Sequence, residues 1–446
     1  MEFTFSKTSS LALFILALIL IGNRVAVGQS ESVVYSFQGT TDGDIPMAGL
    51  ISDAAGNFYG TTNGIGAPCH TDCGTAFELT PATGGGWNEI VLHNFIGGGD
   101  GRSPVGGLIF DQAGNLYGTT EFGGSDVDEG TVFELSQQAG VWTETILYKF
   151  KGGADGAQPT AGLVFDGDGN LYGTTLAGGQ PRFGYRDNGT VFQLKPSQGG
   201  NWTETVIHTF GVGKDGFQPY AGLTIDQAGN LYGTTLAGGG GNCQYFGAPG
   251  CGVAFRLEPP AKQGGAWTEK VLYRFKGGTS DGQAPDATLI FDTKGNLDGV
   301  TQHGGICSVS SFCGTVFQLT PGAGGTWTEG VLYSFTGGSD GGFPRGSLIL
   351  DMAGNLYGTT EFGGNGVCRD NNSCGTVFEL TPSKSGPWSE TVLYNFTKGR
   401  DGYWPVAGLI QGKFDALFGT TVLGGKGMCK NGNKIIGCGT VFKIHL

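Results

Sequence analysis

The chain is a succession of short apolar runs, rich in Val, Ile, Thr, Tyr and Phe and bounded by Gly, Pro, Asn or Asp. That is the signature of β-strands, and none of the runs has helical periodicity. Four of them recur in fixed order. Asp-Gly-x-x-Pro, at Asp42, Asp100, Asp155, Asp215, Asp281, Asp340 and Asp401, leads into small residues and a Leu, as in Ala161, Gly162 and Leu163. Gly-Asn-Leu-Tyr-Gly-Thr-Thr follows, intact at Gly114 to Thr120, Gly169 to Thr175, Gly229 to Thr235 and Gly354 to Thr360. Gly-Thr-Val-Phe-x-Leu comes third, with its Phe at Phe77, Phe133, Phe192, Phe255, Phe317, Phe378 and Phe442, spaced 56, 59, 63, 62, 61 and 64 residues apart. Last is Trp-x-Glu running into Val-Leu-Tyr-x-Phe, as at Trp327 to Phe335.

Each repeat of about sixty residues therefore predicts four antiparallel strands. Strand a is Gly-Leu-x-Phe-Asp, strand b Asn-Leu-Tyr-Gly-Thr-Thr, strand c Gly-Thr-Val-Phe-x-Leu, and strand d runs from Trp-x-Glu to Phe. Consecutive apolar residues such as Leu108, Ile109 and Phe110 require cover on both faces of the sheet. A ring of sheets supplies it, each packed between two neighbours, and the fold expected is an all-β, seven-bladed β-propeller of four-stranded antiparallel blades. The small residues opening strand a suit the crowded innermost position beside a central channel.

The chain opens on a lone strand d, Val33 to Phe37, and closes on a lone strand c, Val441 to Ile444. Each end lacks what the other has, so the ring is expected to be closed by the N-terminal strand completing the last blade, with no sheet edge left between first and last repeats. A single propeller domain over residues 33–446 follows.

The repeat resembles the GloVer tandem repeat, a family of exported bacterial proteins called "choice-of-anchor" because members end in differing sorting signals. The likeness spans Val33 to Leu446 and rests on Gly-Asn-Leu-Tyr-Gly-Thr-Thr followed by Gly-Thr-Val-Phe-x-Leu, seven times over. It implies export and brings no catalytic residue with it. The chain ends at Ile444, His445 and Leu446 without an anchor, so free release is expected in place of surface attachment.

Composition adds an export route and excludes two partner classes. Lys7, an apolar run from Leu11 to Ile21 and the small residues Ala26, Val27 and Gly28 read as a signal peptide over residues 1–28. The run is roughly half the twenty or so residues that a membrane-spanning helix needs, although an uncleaved anchor is the alternative. Removing the leader takes away Lys7, Arg24 and Glu2, so the net charge moves from −13 to −14. Such an acidic surface disfavours nucleic acid and anionic membranes. The mature protein is expected to be a secreted, extracellular monomer, with the periplasm or cell surface as the alternative.

All ten cysteines fall between strands b and c as near neighbours: Cys69 with Cys73, Cys243 with Cys251, Cys307 with Cys313, Cys368 with Cys374, and Cys429 with Cys438. In an exported protein this reads as five loop-closing disulfides, with metal ligation the alternative. The pairs belong to blades 1, 4, 5, 6 and 7, one unbroken arc. Their loops and the Asp-Gly-x-x-Pro connections emerge on the same face, which makes that face the expected binding surface.

Candidate chemistry is sparse. The seven Asp-Gly-x-x-Pro aspartates are expected as a ring near the channel mouth, serving mainly as turn residues. Asp166, Gly167, Asp168, Gly169 and Asn170 alternate oxygen ligands as a calcium loop does, but no closing Glu follows, so a β-turn is expected and no cofactor beyond a weak claim for calcium. Blade 5 departs from its own repeat, with Asp298 in place of Tyr and with Asp286 and His303 where most other copies are uncharged; a His with two carboxylates suits acid/base work. His93 and His208 take the place of the strand d Tyr. Phe217, Tyr220, Phe343, Tyr403 and Trp404, at the Asp-Gly-x-x-Pro loops, vary between blades while the turn around them does not, and suit sugar rings or a protein surface. Two readings follow: a non-enzymatic scaffold that binds a glycan or extracellular protein through these aromatics, and a propeller enzyme of lyase or glycosidase type at blade 5.

Overall fold

The computed structural model describes residues 30–39, 41–64, 73–124, 127–179, 188–211, 213, 215–245, 247–262, 264–307, 313–366, 368, 373–383, 386–413, 415–431 and 434–446. The expected leader and Cys69 lie outside the described residues, among which no helix is long and apolar enough to cross a membrane.

Seven antiparallel blades follow one another in the order a-b-c-d. Blade 1 consists of Ile51–Ser52, Phe58–Thr62, Thr75–Pro81 and Trp87–Asn94; blade 2 of Ile109–Phe110, Leu116–Thr120, Thr131–Gln138 and Val141–Lys149. Blade 5 repeats the plan with Ile290–Phe291, Leu297–Thr301, Thr315–Pro321 and Trp327–Ser334. Blade 7 joins Ile410–Gln411, Ala416–Thr421 and Thr440–His445 to the leading strand Glu31–Ser36.

The core lies between blades, not within them. Each of seven apolar layers takes residues from two neighbours, as where Tyr59, Leu92 and Phe95 of blade 1 meet Leu108, Leu116 and Phe133 of blade 2. A strand d Phe packs on the next blade's strand c Phe at every boundary: Phe95 on Phe133 at 4.9 Å, Phe275 on Phe317 at 5.0 Å, and Phe37 on Phe77 at 5.1 Å. Each fully buried ring contributes about 1.5–3 kcal/mol. The Gly of Gly-Thr-Thr makes room for it: a Cβ on Gly118 would stand 2.6 Å from the Phe133 ring.

The expected closure needs correction. The leading strand does pair with strand c of blade 7, Glu31 opposite Ile444 and Val33 opposite Phe442. The sheet so completed is nevertheless open, and among the described residues no sheet is closed on itself by hydrogen bonds. Every blade keeps an inner and an outer edge, because neighbours meet through side chains on their faces and their ladders do not join. Across the seam, blades 7 and 1 are held by that packing and by single bonds, Ile45 N donating to the Cys438 carbonyl at 3.0 Å and Thr420 Oγ1 to that of Ala48 at 3.2 Å.

The Asp-Gly-x-x-Pro aspartates also stand elsewhere than expected. Each caps its own turn against strand d: Asp401 accepts from Thr397 N at 2.8 Å and from Tyr394 Oη at 3.1 Å. The channel mouth is formed instead by the residue after each proline.

Candidate functional site

The mouth is built by a local device repeated seven times. The residue before each proline, Ile45, Ser103, Gln158, Gln218, Ala284, Phe343 or Trp404, has φ between 56° and 60°. A left-handed side-chain-bearing residue costs about 1–3 kcal/mol and persists where its surroundings fix it. Here its N–H donates to the carbonyl just before strand c of the preceding blade, as from Ala284 to Cys251 at 2.9 Å and from Trp404 to Cys374 at 3.0 Å. Five of these seven acceptors are cysteines, Cys73, Cys251, Cys313, Cys374 and Cys438. Four are seen in full disulfides, Cys243 to Cys251, Cys307 to Cys313, Cys368 to Cys374 and Cys429 to Cys438; Cys73 is disulfide-bonded too. The staples therefore fix the carbonyls that hold the mouth loops.

Seven side chains line that mouth, Met47, Val105, Thr160, Tyr220, Asp286, Arg345 and Val406, around a cavity of about 70 Å³. Below it the small residues that open strand a line the channel, as expected. Blades 4, 5 and 6 make the ring asymmetric. Arg345 Nε donates to Asp286 Oδ2 at 3.0 Å while its Nη1 lies 3.4 Å from Glu361 Oε2. Gln302 Nε2 also donates to Asp286 Oδ2, and the guanidinium carbon stands 5.7 Å from the centre of the Tyr220 ring. Asp286 Oδ1 and Gln302 Oε1 are buried and accept no hydrogen bond from another side chain.

Burial pushes the carboxyls of both Asp286 and Glu361 up, against the pull of the one arginine they share. Burial also raises the Tyr245 hydroxyl to about 12, with Asp286 adding to the effect. One guanidinium shared by two buried carboxyls, both pushed up by burial, favours keeping a proton on one of them. The cluster thus offers a proton donor, a cation and unfilled acceptors at a concave mouth, the features expected of an active or binding site.

The sequence candidates divide among several places. His303 meets the cluster's rim in an aromatic row: Tyr245 to His303 at 6.2 Å, His303 to Phe343 at 4.9 Å, Phe343 to Phe362 at 5.5 Å and Phe362 to Trp404 at 6.1 Å. Trp404 Nε1 is buried without a partner. Tyr220 stands at the mouth, Phe217 packs against the core between blades 3 and 4, and Tyr403 is 1% exposed. Asp298 is apart from Asp286 and His303. It accepts from Gln318 Nε2 at 2.9 Å, burial raising it to about 6, and lies five residues before His303 along an extended strand, roughly 17 Å away. Sequence reasoning missed Arg345, Glu361 and Gln302, although aligning the post-proline positions shows opposite charges, Asp286 and Arg345, in adjacent blades.

Two further clusters sit between blades. His93, Asp100 and Glu144 form one; His208, Asp215 and Glu269 form the other, with one ligand atom from each residue within 4.8 Å of the rest, so each trio can hold a metal ion. Mixed nitrogen and oxygen donors do not select calcium. In other blades Tyr takes the place of His, as where Tyr148 donates to Asp155 at 2.5 Å. The loop at Asp166 is a turn: its carboxylate accepts from Asp168 N and Asn170 N at 2.9 Å and from Asn170 Nδ2 at 2.7 Å.

Fold and mouth define a seven-bladed propeller of tandem β repeats. The chain belongs to the Gloeobacter/Verrucomicrobia repeat family, whose sequence model matches residues 24–246 and 186–432. No curated protein matches it. Among solved structures it is similar to a fungal alcohol oxidase of the AA5 family in complex with copper, at 14% identity and a TM-score of 0.53, covering 93% of this chain and 76% of that one. It is also similar to PorZ, a surface component of the type-IX secretion system of Porphyromonas gingivalis, at 13% identity and a TM-score of 0.44, covering 82% and 44%. At such identities the likeness to the oxidase concerns the fold alone.

Proposed function

We propose that the protein is a secreted, carbohydrate-acting propeller enzyme of lyase or glycosidase type, working at the channel mouth on the blade 5 side. The observation that carries this reading is the buried Asp286, linked to Arg345 and Gln302 and lining the mouth with one oxygen unfilled. A protonated carboxyl there supplies general acid, Arg345 stabilises developing negative charge, and the row His303, Phe343 and Trp404 offers ring faces to sugars. Disulfides and the leader-like residues 1–28 support an extracytoplasmic site of action.

The test is incubation with a panel of neutral and uronate-containing polysaccharides, reading reducing ends and the ultraviolet absorbance of unsaturated products. Turnover by the wild type that Asp286→Asn abolishes is expected. Turnover unchanged in Asp286→Asn overturns the assignment, as does a panel with no turnover. The aromatic row favours a second reading, a glycan-binding scaffold. Binding without turnover, weakened by Trp404→Ala, would select it.

A further inference from the structure

At three blade boundaries a strand a Phe packs edge-on against the strand b Tyr of the preceding blade: Phe110 on Tyr59, Phe165 on Tyr117 and Phe291 on Tyr232, each at 5.1 Å. Between blades 7 and 1 the same register positions hold Phe418 and Ser52. With no benzyl group from Ser52, a cavity of about 330 Å³ opens there, lined by Phe58, Trp87, Pro81 and Phe418. Its walls are aromatic, Phe58 standing 4.5 Å from Phe418 and 5.2 Å from Trp87. That volume falls within the range of small-molecule sites. It lies at the a–b hairpin end of the blades, away from the mouth.

Three charged side chains border it, Lys413, Lys443 and Asp53. The Asp53 carboxylate is filled by its own hairpin, accepting from Gly56 N at 2.8 Å, Asn57 N at 2.9 Å and Asn57 Nδ2 at 2.8 Å. Lys413 Nζ donates across the seam to the Ala55 carbonyl at 3.2 Å and retains two further donors. Lys443 Nζ stands 5.7 Å from the centre of the Phe418 ring. An aromatic slot bordered by two cations and one satisfied anion matches a ring that carries a negative charge.

We infer that this seam cavity is a binding site for a small aromatic carboxylate, its ring in the place that Phe occupies at other boundaries and its carboxylate between Lys413 and Lys443. The site is independent of the mouth and of any chemistry there. Titration calorimetry and ligand-observed NMR with phenylacetate, benzyl alcohol and phenethylamine test it. Phenylacetate is expected to bind, benzyl alcohol more weakly and phenethylamine not at all. Ser52→Phe fills the slot with the residue that blades 2, 3 and 5 carry, and should abolish binding. Lys413→Met with Lys443→Met keeps the slot open and should weaken phenylacetate about tenfold or more, a loss of at least one exposed ion pair at each lysine. No binding of phenylacetate to the wild type, undiminished binding in either variant, or phenethylamine binding as tightly as phenylacetate would overturn the site.

Discussion

Blades 2 and 5 share four strands and a buried Phe, yet they meet their neighbours by different means. In blade 2, Thr119 Oγ1 donates to the Ala161 carbonyl of blade 3 at 2.9 Å, and Tyr117 packs on Phe165. Blade 5 has Val300 in place of that Thr and Asp298 in place of that Tyr. On its other side, Thr234 of blade 4 keeps a buried hydroxyl with no partner. Blade 5 thus lacks the strand b Thr-to-carbonyl bond at both boundaries and adds a charged link through its inner edge, Asp286 to Arg345. What all blades repeat is what the ring requires; what one blade changes at its inner edge is free to serve a ligand.

The broadest test of that contrast is the shared core. Phe133→Ala in blade 2 and Phe317→Ala in blade 5 should each lower unfolding free energy by about 3–5 kcal/mol in urea titrations. A clear gap between them would show that the blades differ in more than their edges. Next comes the charged link. Asp286→Ala leaves Arg345 with Glu361 alone and should cost about 2–3 kcal/mol, against about 1 kcal/mol or less for Val105→Ala at the matching place in blade 2.

A feature common to both blades gives a pH dependence. The Glu of each strand d sits half-buried beside the preceding blade's Asp with one oxygen unpaired. Burial first, and that Asp second, raises Glu31, Glu89, Glu204, Glu269, Glu329 and Glu390 to about 7 and Glu144 to about 8. A raised folded value against an ordinary 4.5 means that stability is greatest below about pH 4.5 as far as these groups are concerned. It is lost as pH rises through about 7, because the unfolded chain ionises first. Scanning calorimetry should therefore give a thermal midpoint lower at pH 8 than at pH 5.5. Glu144→Gln should flatten that slope more than Glu329→Gln, because the blade 2 carboxyl is raised further. The smallest effect expected is a gain: Val300→Thr restores a hydroxyl to blade 5 and should add about 1 kcal/mol where blade 6 offers it a carbonyl.

Strand order, blade number and the partner of the leading strand were legible because the repeat prints each blade seven times. The mode of closure was not, since strand pairing at the seam says nothing of whether sheets join around the ring. The site was legible in part. Asp286 and His303 stood out as departures within blade 5, but Asp298 shares their strand neighbourhood in sequence only, the extended backbone carrying it to the far end. Arg345 lies 59 residues beyond Asp286 and meets it solely because the post-proline position of every blade faces one axis. Tyr403 and Trp404 are adjacent in the chain and their rings meet edge-on at 5.2 Å, Tyr403 buried within the apolar layer against which Trp404 packs, a difference in burial that the sequence does not print.

The leading strand has a consequence for biosynthesis. Val33 finds its place opposite Phe442, about 400 residues later, so strand c of blade 7 must be made before this first strand can pair. Until then a β-prone segment has no native partner strand, and its backbone groups are open to pairing with foreign edges. A peptide carrying the same residues, added to a chain that lacks them, would be taken up as the missing stave of the barrel-maker's hoop.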